Sequence, residues 1–202
     1  MVTIIDYGMG NLGSVRNMLR KIGVNSVISS NLSKIENAEK LILPGVGLYS
    51  KAMDNLKSMG ADRIIKNKVI EGTPLLGICL GMQLLSSHSE EGNVKGLDII
   101  PGNVKKFKLD SNFKIPHMGW NSIYYNNESV LFDGFDKFEE VRFYFVHSYY
   151  YDLTENKNQI AYAKYADDFT CAIQLNKVFG VQFHPEKSHK FGIQLLKNFC
   201  KI

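Results

Sequence analysis

Apolar positions recur with two different spacings along this chain, and the change falls near its middle. Val2 to Ile5 is a short apolar run that reads as a strand. Leu12 to Ile22 then places Leu12, Val15, Leu19 and Ile22 on one stripe, the spacing of a helix. The alternation continues with a strand at Asn25 to Ser29, a short helix at Ser33 to Ala38 and a strand at Lys40 to Leu43. Helices at Ser50 to Met59 and Ala61 to Glu71 precede a strand at Thr73 to Cys79. Strands alternating with helices imply parallel pairing through right-handed crossovers. Beyond that point the texture is different. Leu97 to Val104, Phe113 to Ile115, Ser122 to Tyr125, Arg142 to Tyr151, Gln159 to Tyr165, Thr170 to Gln174 and Val178 to Phe183 all read as strands with turns between them. A closing helix over Lys190 to Phe199 carries Phe191, Leu195, Leu196 and Phe199 on its apolar side. The expected architecture is α/β: an open, mixed, mostly parallel sheet flanked by helices, with antiparallel strands in the second half. No repeat, low-complexity stretch or linker divides it, so residues 1–202 are read as one domain.

Composition narrows the class. Hydrophobic residues make up 45% of the chain, as in a soluble globular protein. A chain of this length buries roughly 70% of its unfolded surface and needs no disulfide staples. Its 3 cysteines are far apart, with no C-x-x-C pair, so neither a zinc site nor a disulfide framework is indicated. Met1 to Asp6 has no basic segment and runs straight into a strand, which is not the pattern of a signal peptide. No apolar run is long enough to span a bilayer. The expectation is a cytoplasmic protein in a reducing compartment. The net charge of +4 is small, and the cluster Lys105, Lys106 and Lys108 reads as a solvated edge, so neither nucleic acid nor membrane is an expected partner.

The candidate chemistry begins at Gly77-Ile78-Cys79-Leu80-Gly81. An apolar strand precedes it, and Met82-Gln83-Leu84-Leu85 follows as a helix. This is the G-x-nucleophile-x-G elbow with cysteine in the serine's place. Glycines on both sides permit a sharp strand-to-helix turn that lifts the thiol above the sheet edge, near a helix N-terminus. The plain alternative is a buried cysteine in a Gly-rich turn. A thiol nucleophile needs a base, and Gly180-Val181-Gln182-Phe183-His184-Pro185-Glu186 offers one. In extended chain His184 and Glu186 point to the same side, so Glu186 can hold one imidazole nitrogen while the other faces a thiol. Only a fold that returns the chain to the same sheet edge joins them to Cys79. Acyl chemistry on sulfur also needs N–H donors for an oxyanion. In elbow enzymes one is the residue after the nucleophile, here Leu80, and the other comes from a second strand-to-helix loop. Gly45-Val46-Gly47, closing the third strand, is placed to supply it, although an ordinary Gly-Pro turn also accounts for the loop. Gly8-Met9-Gly10-Asn11-Leu12-Gly13 matches the dinucleotide fingerprint G-x-G-x-x-G. The second strand ends in Ser29-Ser30-Asn31 with no acid for a ribose, so these glycines are read as a tight turn.

Pro44-Gly45-Val46-Gly47, Gly77-Ile78-Cys79-Leu80-Gly81-Met82-Gln83 and Gln182-Phe183-His184-Pro185-Glu186-Lys187-Ser188 occur in an order and spacing that resembles the class I glutamine amidotransferases. Ile115-Pro116-His117-Met118-Gly119-Trp120-Asn121, Phe145-Val146-His147-Ser148-Tyr149-Tyr150 and the opening Asp6-Tyr7-Gly8-Met9-Gly10-Asn11 narrow the resemblance to one branch. These are the glutaminase subunits of imidazole glycerol phosphate synthase, in histidine biosynthesis. The resemblance covers essentially the whole chain. Val46, where related glutaminases carry proline, agrees with that branch.

The resemblance implies a Cys79–His184–Glu186 triad that hydrolyses glutamine, with Val46, Gly47 and Leu80 at the oxyanion hole. It implies that Gly45, Gln83, His147, Ser148 and Tyr149 line the glutamine pocket, with no metal or cofactor. The ammonia goes to a separate (β/α)8-barrel cyclase subunit, in a heterodimer whose interface includes Asn11, Pro116, His117, Met118, Gly119, Trp120 and Tyr144. From the residues alone, His147 reads as a core strand residue, and Trp120, the chain's single tryptophan, as either a core anchor or an interface hot spot. Three alternatives stay open. They are a paralogous glutaminase feeding another synthase, as in amidated-sugar biosynthesis, a stand-alone cysteine hydrolase, and a catalytically idle interaction module.

Overall fold

The structure, a computed structural model, describes residues 1–109 and 113–202. The first half alternates as expected: β1 (Val2–Ile5), α1 (Leu12–Lys21), β2 (Ser26–Ser29), α2 (Leu32–Glu36), β3 (Lys40–Gly45), α3 (Tyr49–Met59), α4 (Ala61–Ile70), β4 (Leu75–Cys79) and the short α5 (Leu80–Gln83). The second half adds β5 (His88–Ser89), β6 (Val94–Lys95), β7 (Gly102–Lys106), β8 (His117–Tyr125), β9 (Arg142–His147), β10 (Tyr149–Leu153), β11 (Gln159–Tyr165), β12 (Asp167–Leu175), β13 (Val178–Val181) and the closing α6 (His189–Lys201). Along the sheet the order is β2-β1-β3-β4-β13-β12-β10-β7-β5-β6, with β11, β8 and β9 branching from β12. The strands from β2 to β13 in that order pair in parallel; β12 then pairs antiparallel with β13, and β10 antiparallel with β12.

Parallel strands covered on both faces read as unbroken apolar runs. Ile4, Ile42 and Leu76 face a core shared with Val15 and Leu19 of α1 and Leu195 and Phe199 of α6. Their neighbours Ile5, Leu41 and Leu75 face the other core, with Met53 and Leu56 of α3 and Ile65 of α4. Side-chain alternation along each strand thus splits one apolar segment between two layers.

Four expected strands differ from the structure. Leu97 to Val104 is strand only from Gly102. Leu97 and Ile100 are buried, but their backbone N–H groups donate to Leu84 and Leu85 carbonyls after α5 and not to a ladder. Phe113 to Ile115 is a bend leading into β8, and all three residues are exposed. Arg142 to Tyr151 breaks at Ser148 because its two parts serve different partners: β9 pairs with β8, and β10 with β7 and β12. The strand read over Val178 to Phe183 stops at Val181, and the Gln182 N–H still donates to the Cys171 carbonyl at 2.8 Å. The basic cluster is not at a sheet edge: Lys105 and Lys106 lie in β7, between β10 and β5, and Lys105 pairs with Asp152 at 2.7 Å.

The register puts three strand ends side by side. Gly45 of β3 stands opposite Cys79 of β4, and Val181 of β13 stands opposite Ile78. The elbow is packed to backbone contact there. A Cβ on Gly81 would sit 1.7 Å from the Leu43 carbonyl oxygen, and one on Gly77 would sit 2.6 Å from the Gly81 oxygen. Gly13, in α1, has open space around it. Gly81→Ala should therefore cost about 3 kcal/mol or more in urea unfolding, at or beyond the upper range for overpacking. Gly13→Ala should be neutral or stabilise by up to ~1 kcal/mol through helix propensity. Equal effects at the two positions would contradict the packing described for the elbow.

Candidate active site

Cys79 has φ 54° and ψ −110°, outside the regions an L-residue ordinarily occupies. Such a conformation costs of order 1–3 kcal/mol and persists only when its surroundings enforce it. Here β4 drives the chain straight into α5, and the close approach of Gly77, Gly81 and Leu43 leaves no room for a wider turn. The thiol lies in a pocket of about 320 Å³ lined by Val46, Gly47, Cys79, Leu80, Gln83, Glu91, Pro116, Val146, His147, Ser148 and Tyr149. Most of the expected pocket residues are there. Gly45 lies behind the rim, where a Cβ would sit 2.5 Å from the Tyr7 hydroxyl.

The turn after β13 brings His184 to the thiol. His184 Nδ1 lies 2.7 Å from Glu186 Oε1, and both side chains are buried. Burial works against the charged imidazolium. Hydrogen bonds and negative charge from Cys79 and Glu186 outweigh it and push the His184 pKa up to about 10. The sulfur is close enough to bias the Nε2 proton, although that nitrogen makes no close hydrogen bond in the unliganded site. Such contacts are often loose in unliganded enzymes and tighten around substrate. Ser188 supports the turn by donating to the His184 carbonyl at 2.6 Å and accepting the Tyr144 N–H at 3.0 Å.

His117 departs from its expected place. The resemblance places it on the partner face, yet it is 4% exposed. The period of the strand explains this: along β8, His117 points inward, while Met118 and Trp120 are 61% and 45% exposed. Inside, His117 Nδ1 meets His147 Nε2 at 3.0 Å. The tautomers follow from a carbonyl that can only accept. His147 Nδ1 lies 2.8 Å from the Tyr149 oxygen and so carries its proton there. His147 Nε2 must then accept from His117 Nδ1–H, and His117 Nε2 accepts from Asn121 Nδ2 at 3.2 Å. Burial lowers the His147 pKa to about 3 and the His117 pKa to about 4, so both rings are neutral at neutral pH.

Of the other residues expected at an interface, Pro116, Met118, Trp120 and Asn11 are exposed and Gly119 and Tyr144 half-buried, with Pro116 on the pocket wall. Pro116 and Met118 are exposed, Trp120 stacks on His189 at 5.6 Å, and its edge meets Tyr144 at 6.5 Å. Trp120 is thus not a core anchor. Asn11 is exposed at the N-cap of α1, where it accepts the Ser14 N–H. Gly119 lies between them with φ +130°.

Sequence reasoning missed two contributors. Glu91 lines the pocket while its Oε2 accepts the Tyr49 N–H at 2.9 Å, capping α3. The only signal was an acidic pair in a turn, Glu90-Glu91-Gly92, which gives no hint of a pocket. Tyr7 donates to the Pro44 carbonyl at 2.8 Å and so braces the glycine loop from below. The glycines beside it serve close approach: a Cβ on Gly10 would meet the Pro44 carbonyl carbon at 3.3 Å.

A family model described as glutamine amidotransferase class-I matches residues 3–202, and the chain belongs to that family. Within it, the chain is 52% identical over its whole length to a protein from Methanococcus maripaludis named "Imidazole glycerol phosphate synthase subunit HisH 2", covering 99% of that protein. It is 43% identical to a protein of the same name from Pseudomonas aeruginosa, with 100% of both chains covered. In fold it resembles the structure titled "Structure of PurLQS from Thermotoga maritima", with a TM-score of 0.74 at 18% identity over 99% of this chain and 97% of that one.

The histidine pair and His184 should leave opposite marks on stability. His117 and His147 bind protons less readily folded than unfolded. Their contribution is complete above pH ~6.5 and is lost as pH falls towards about 4 and 3, by up to ~1.4 kcal/mol per pH unit for each ring. His184 has the opposite sign: its contribution is complete below pH ~6.5 and is lost as pH rises through about 10. Urea unfolding between pH 4 and 6.5 should therefore be less pH-dependent in His117→Asn than in the wild type. Equal slopes would mean that the rings are not buried neutral.

Proposed function

We propose that this chain is the glutaminase subunit of an imidazole glycerol phosphate synthase, with Cys79, His184 and Glu186 as its catalytic residues. The observation that carries the reading is an elbow cysteine with a buried His184–Glu186 pair, 2.7 Å apart, beside it and a glycine loop that lines the same pocket as the cysteine.

The reaction follows from that arrangement. The Cys79 thiolate attacks the side-chain amide carbon of glutamine, and the amide C=O becomes an oxyanion. The Leu80 N–H, in the first turn of α5 and so without an intrahelical acceptor, receives that charge together with an N–H of the Val46–Gly47 loop. The C–N bond breaks as His184 gives its proton to the departing ammonia. The sulfur, now in a γ-glutamyl thioester, no longer carries negative charge, so one of the two partners holding the His184 proton is lost. His184 then acts as base, takes a proton from water as the water attacks the thioester, and glutamate leaves. The thiolate and the protonated His184 are restored, with Glu186 holding the ring throughout. Gln83, His147, Ser148 and Tyr149 line the substrate's berth. Glu91 supplies a carboxylate for the ammonium group that every amino-acid substrate carries.

The ammonia passes to a cyclase subunit of (β/α)8-barrel type, bound over the face formed by Pro116, Met118, Gly119, Trp120, Tyr144 and Asn11, and the complex works in the cytoplasm. No helix of the described residues is long and apolar enough to cross a membrane. A second reading has one observation behind it. Two of the relatives are numbered "HisH 2", as a second copy feeding a different synthase would be. Reconstitution with each candidate synthase separates the two.

Cys79→Ala should abolish glutamine-driven synthesis, by a factor on the order of 10⁶, and leave ammonia-driven synthesis intact. Substantial glutamine turnover by that variant sinks the assignment. Cys171→Ala and Cys200→Ala should stay near wild type. Glu186→Gln should lose less than Cys79→Ala, and its rate should fall away at a lower alkaline pH, because one of the two partners holding the His184 proton is gone. An unmoved alkaline limb would remove Glu186 from the mechanism. In a coupled assay the isolated chain should turn over glutamine slowly and gain strongly when a barrel synthase with its nucleotide is added. Trp120→Ala should weaken that gain without unfolding the chain. Full activity of the chain alone would point to a stand-alone hydrolase.

A further inference from the structure

Gln182 stands between β13 and His184, fully buried, and the reaction above makes no use of it. Its amide bridges two groups of the site. Oε1 lies 2.9 Å from Gln83 Nε2, and Nε2 lies 3.6 Å from Cys79 Sγ. Which end of a buried amide is oxygen is decided by its partners. A single backbone carbonyl decides it here. The Tyr149 oxygen can only accept, and Gln83 lies 3.1 Å from it, so Gln83 presents its NH2 group there. The second hydrogen of that NH2 points to Gln182, which must present oxygen. The Gln182 nitrogen is thereby left facing the sulfur. A reversed Gln182 would set two NH2 groups 2.9 Å apart and press an oxygen against the nucleophile.

The other neighbour of the sulfur has the opposite character. The Val146 carbonyl lies 4.0 Å from Sγ and suits a thiol, which donates. Ionisation turns that carbonyl into a repelling neighbour and leaves the Gln182 N–H as the compensating donor. His184 lies on the sulfur as well, and the Gln182 N–H, at 3.6 Å, is a second side-chain donor facing it in the unliganded site.

We propose that Gln182 is a further residue of the catalytic machinery, whose side-chain N–H holds the Cys79 sulfur in place and favours the thiolate. Its donor direction is imposed through Gln83 by the Tyr149 carbonyl. The inference rests on Cys79 being the nucleophile. Hydrogen bonds to an ionised partner are the strong ones, and losing one costs about 10- to 100-fold. The role also limits Gln83. Both hydrogens of its amide are engaged inside the protein, so only its oxygen is free to meet substrate.

The test is alkylation of Cys79 by iodoacetamide in the full chain, followed by mass spectrometry across pH, for the wild type, Gln182→Met and Gln182→Glu. Gln182→Met keeps the bulk and removes the donor. It should alkylate about 10- to 100-fold more slowly at neutral pH, with its pH midpoint moved upward. Gln182→Glu places a carboxylate against the sulfur and should be slower still. In steady state kcat should fall by a similar factor, with KM within about threefold. Wild-type rates and midpoints in both variants would overturn the proposal while leaving Cys79 as nucleophile. A wild-type chain in which the reagent avoids Cys79 would instead overturn the nucleophile assignment and this inference with it. Should neither variant fold by circular dichroism, the wild type still decides by NMR. The Gln182 side-chain amide signal should shift with the same pH midpoint as Cys79 alkylation, and a signal that ignores that transition overturns the proposal.

Discussion

The backbone of Cys79, at φ 54° and ψ −110°, is the constraint on which the rest of the site depends. A residue does not hold that conformation by preference. It is held because Gly81 lies against the Leu43 carbonyl and Gly77 against Gly81, so β3, β4 and α5 meet with no spare atom between them. The same contact that strains the turn fixes the height of the thiol above the sheet. It also fixes where the glycine loop after β3 must pass, since Gly45 is the register partner of Cys79. β13 adds the third strand end, and His184 follows a few residues beyond it. Nucleophile, oxyanion loop and base are therefore positioned by one patch of parallel sheet with buried, well-packed faces.

Electrostatics then divides three buried histidines between two tasks. His184 sits between an acidic partner and a sulfur and keeps its proton readily. His117 and His147 have only neutral hydrogen-bond partners, so burial, helped at His147 by repulsion from His184, keeps them uncharged. The neutral pair is useful because it is directional. Each proton along Asn121, His117 and His147 points towards the Tyr149 carbonyl, which also receives Gln83. The chain of donors reaches from strand β8, whose outer face is exposed, to the wall of the pocket. Burying charge without a partner is costly, and this arrangement places charge only at the reacting centre.

Much of this was legible in the sequence, for physical reasons. The βα alternation of the first half showed clearly because buried parallel strands and amphipathic helices leave different periods. The elbow and the His184–Glu186 spacing showed because the chemistry needs those residue types close together in sequence. The second half was harder. Leu97 and Ile100 are apolar and buried, yet their N–H groups serve the end of α5, a contact that no periodicity records. Arg142 to Tyr151 gives no hint of its break, because both halves are extended and only their pairing partners change. The motif groups His117 with exposed neighbours, although strand alternation turns it inward. Glu91 shows only as part of an acidic pair in a turn, and Gln182 only as a member of the His184 motif, with nothing to indicate its partner. Their roles come from what the fold sets beside them, far away in sequence.

The central claim is that Cys79 carries the glutamyl group while His184 manages its proton. The most direct measurement is a rapid acid-quench experiment with glutamine on the wild-type chain, followed by peptide mass spectrometry. The account predicts a γ-glutamyl adduct on Cys79, absent from Cys171 and Cys200, that disappears when hydroxylamine is added. Glutamine turnover that leaves Cys79 unmodified, or an adduct on another residue, would contradict it.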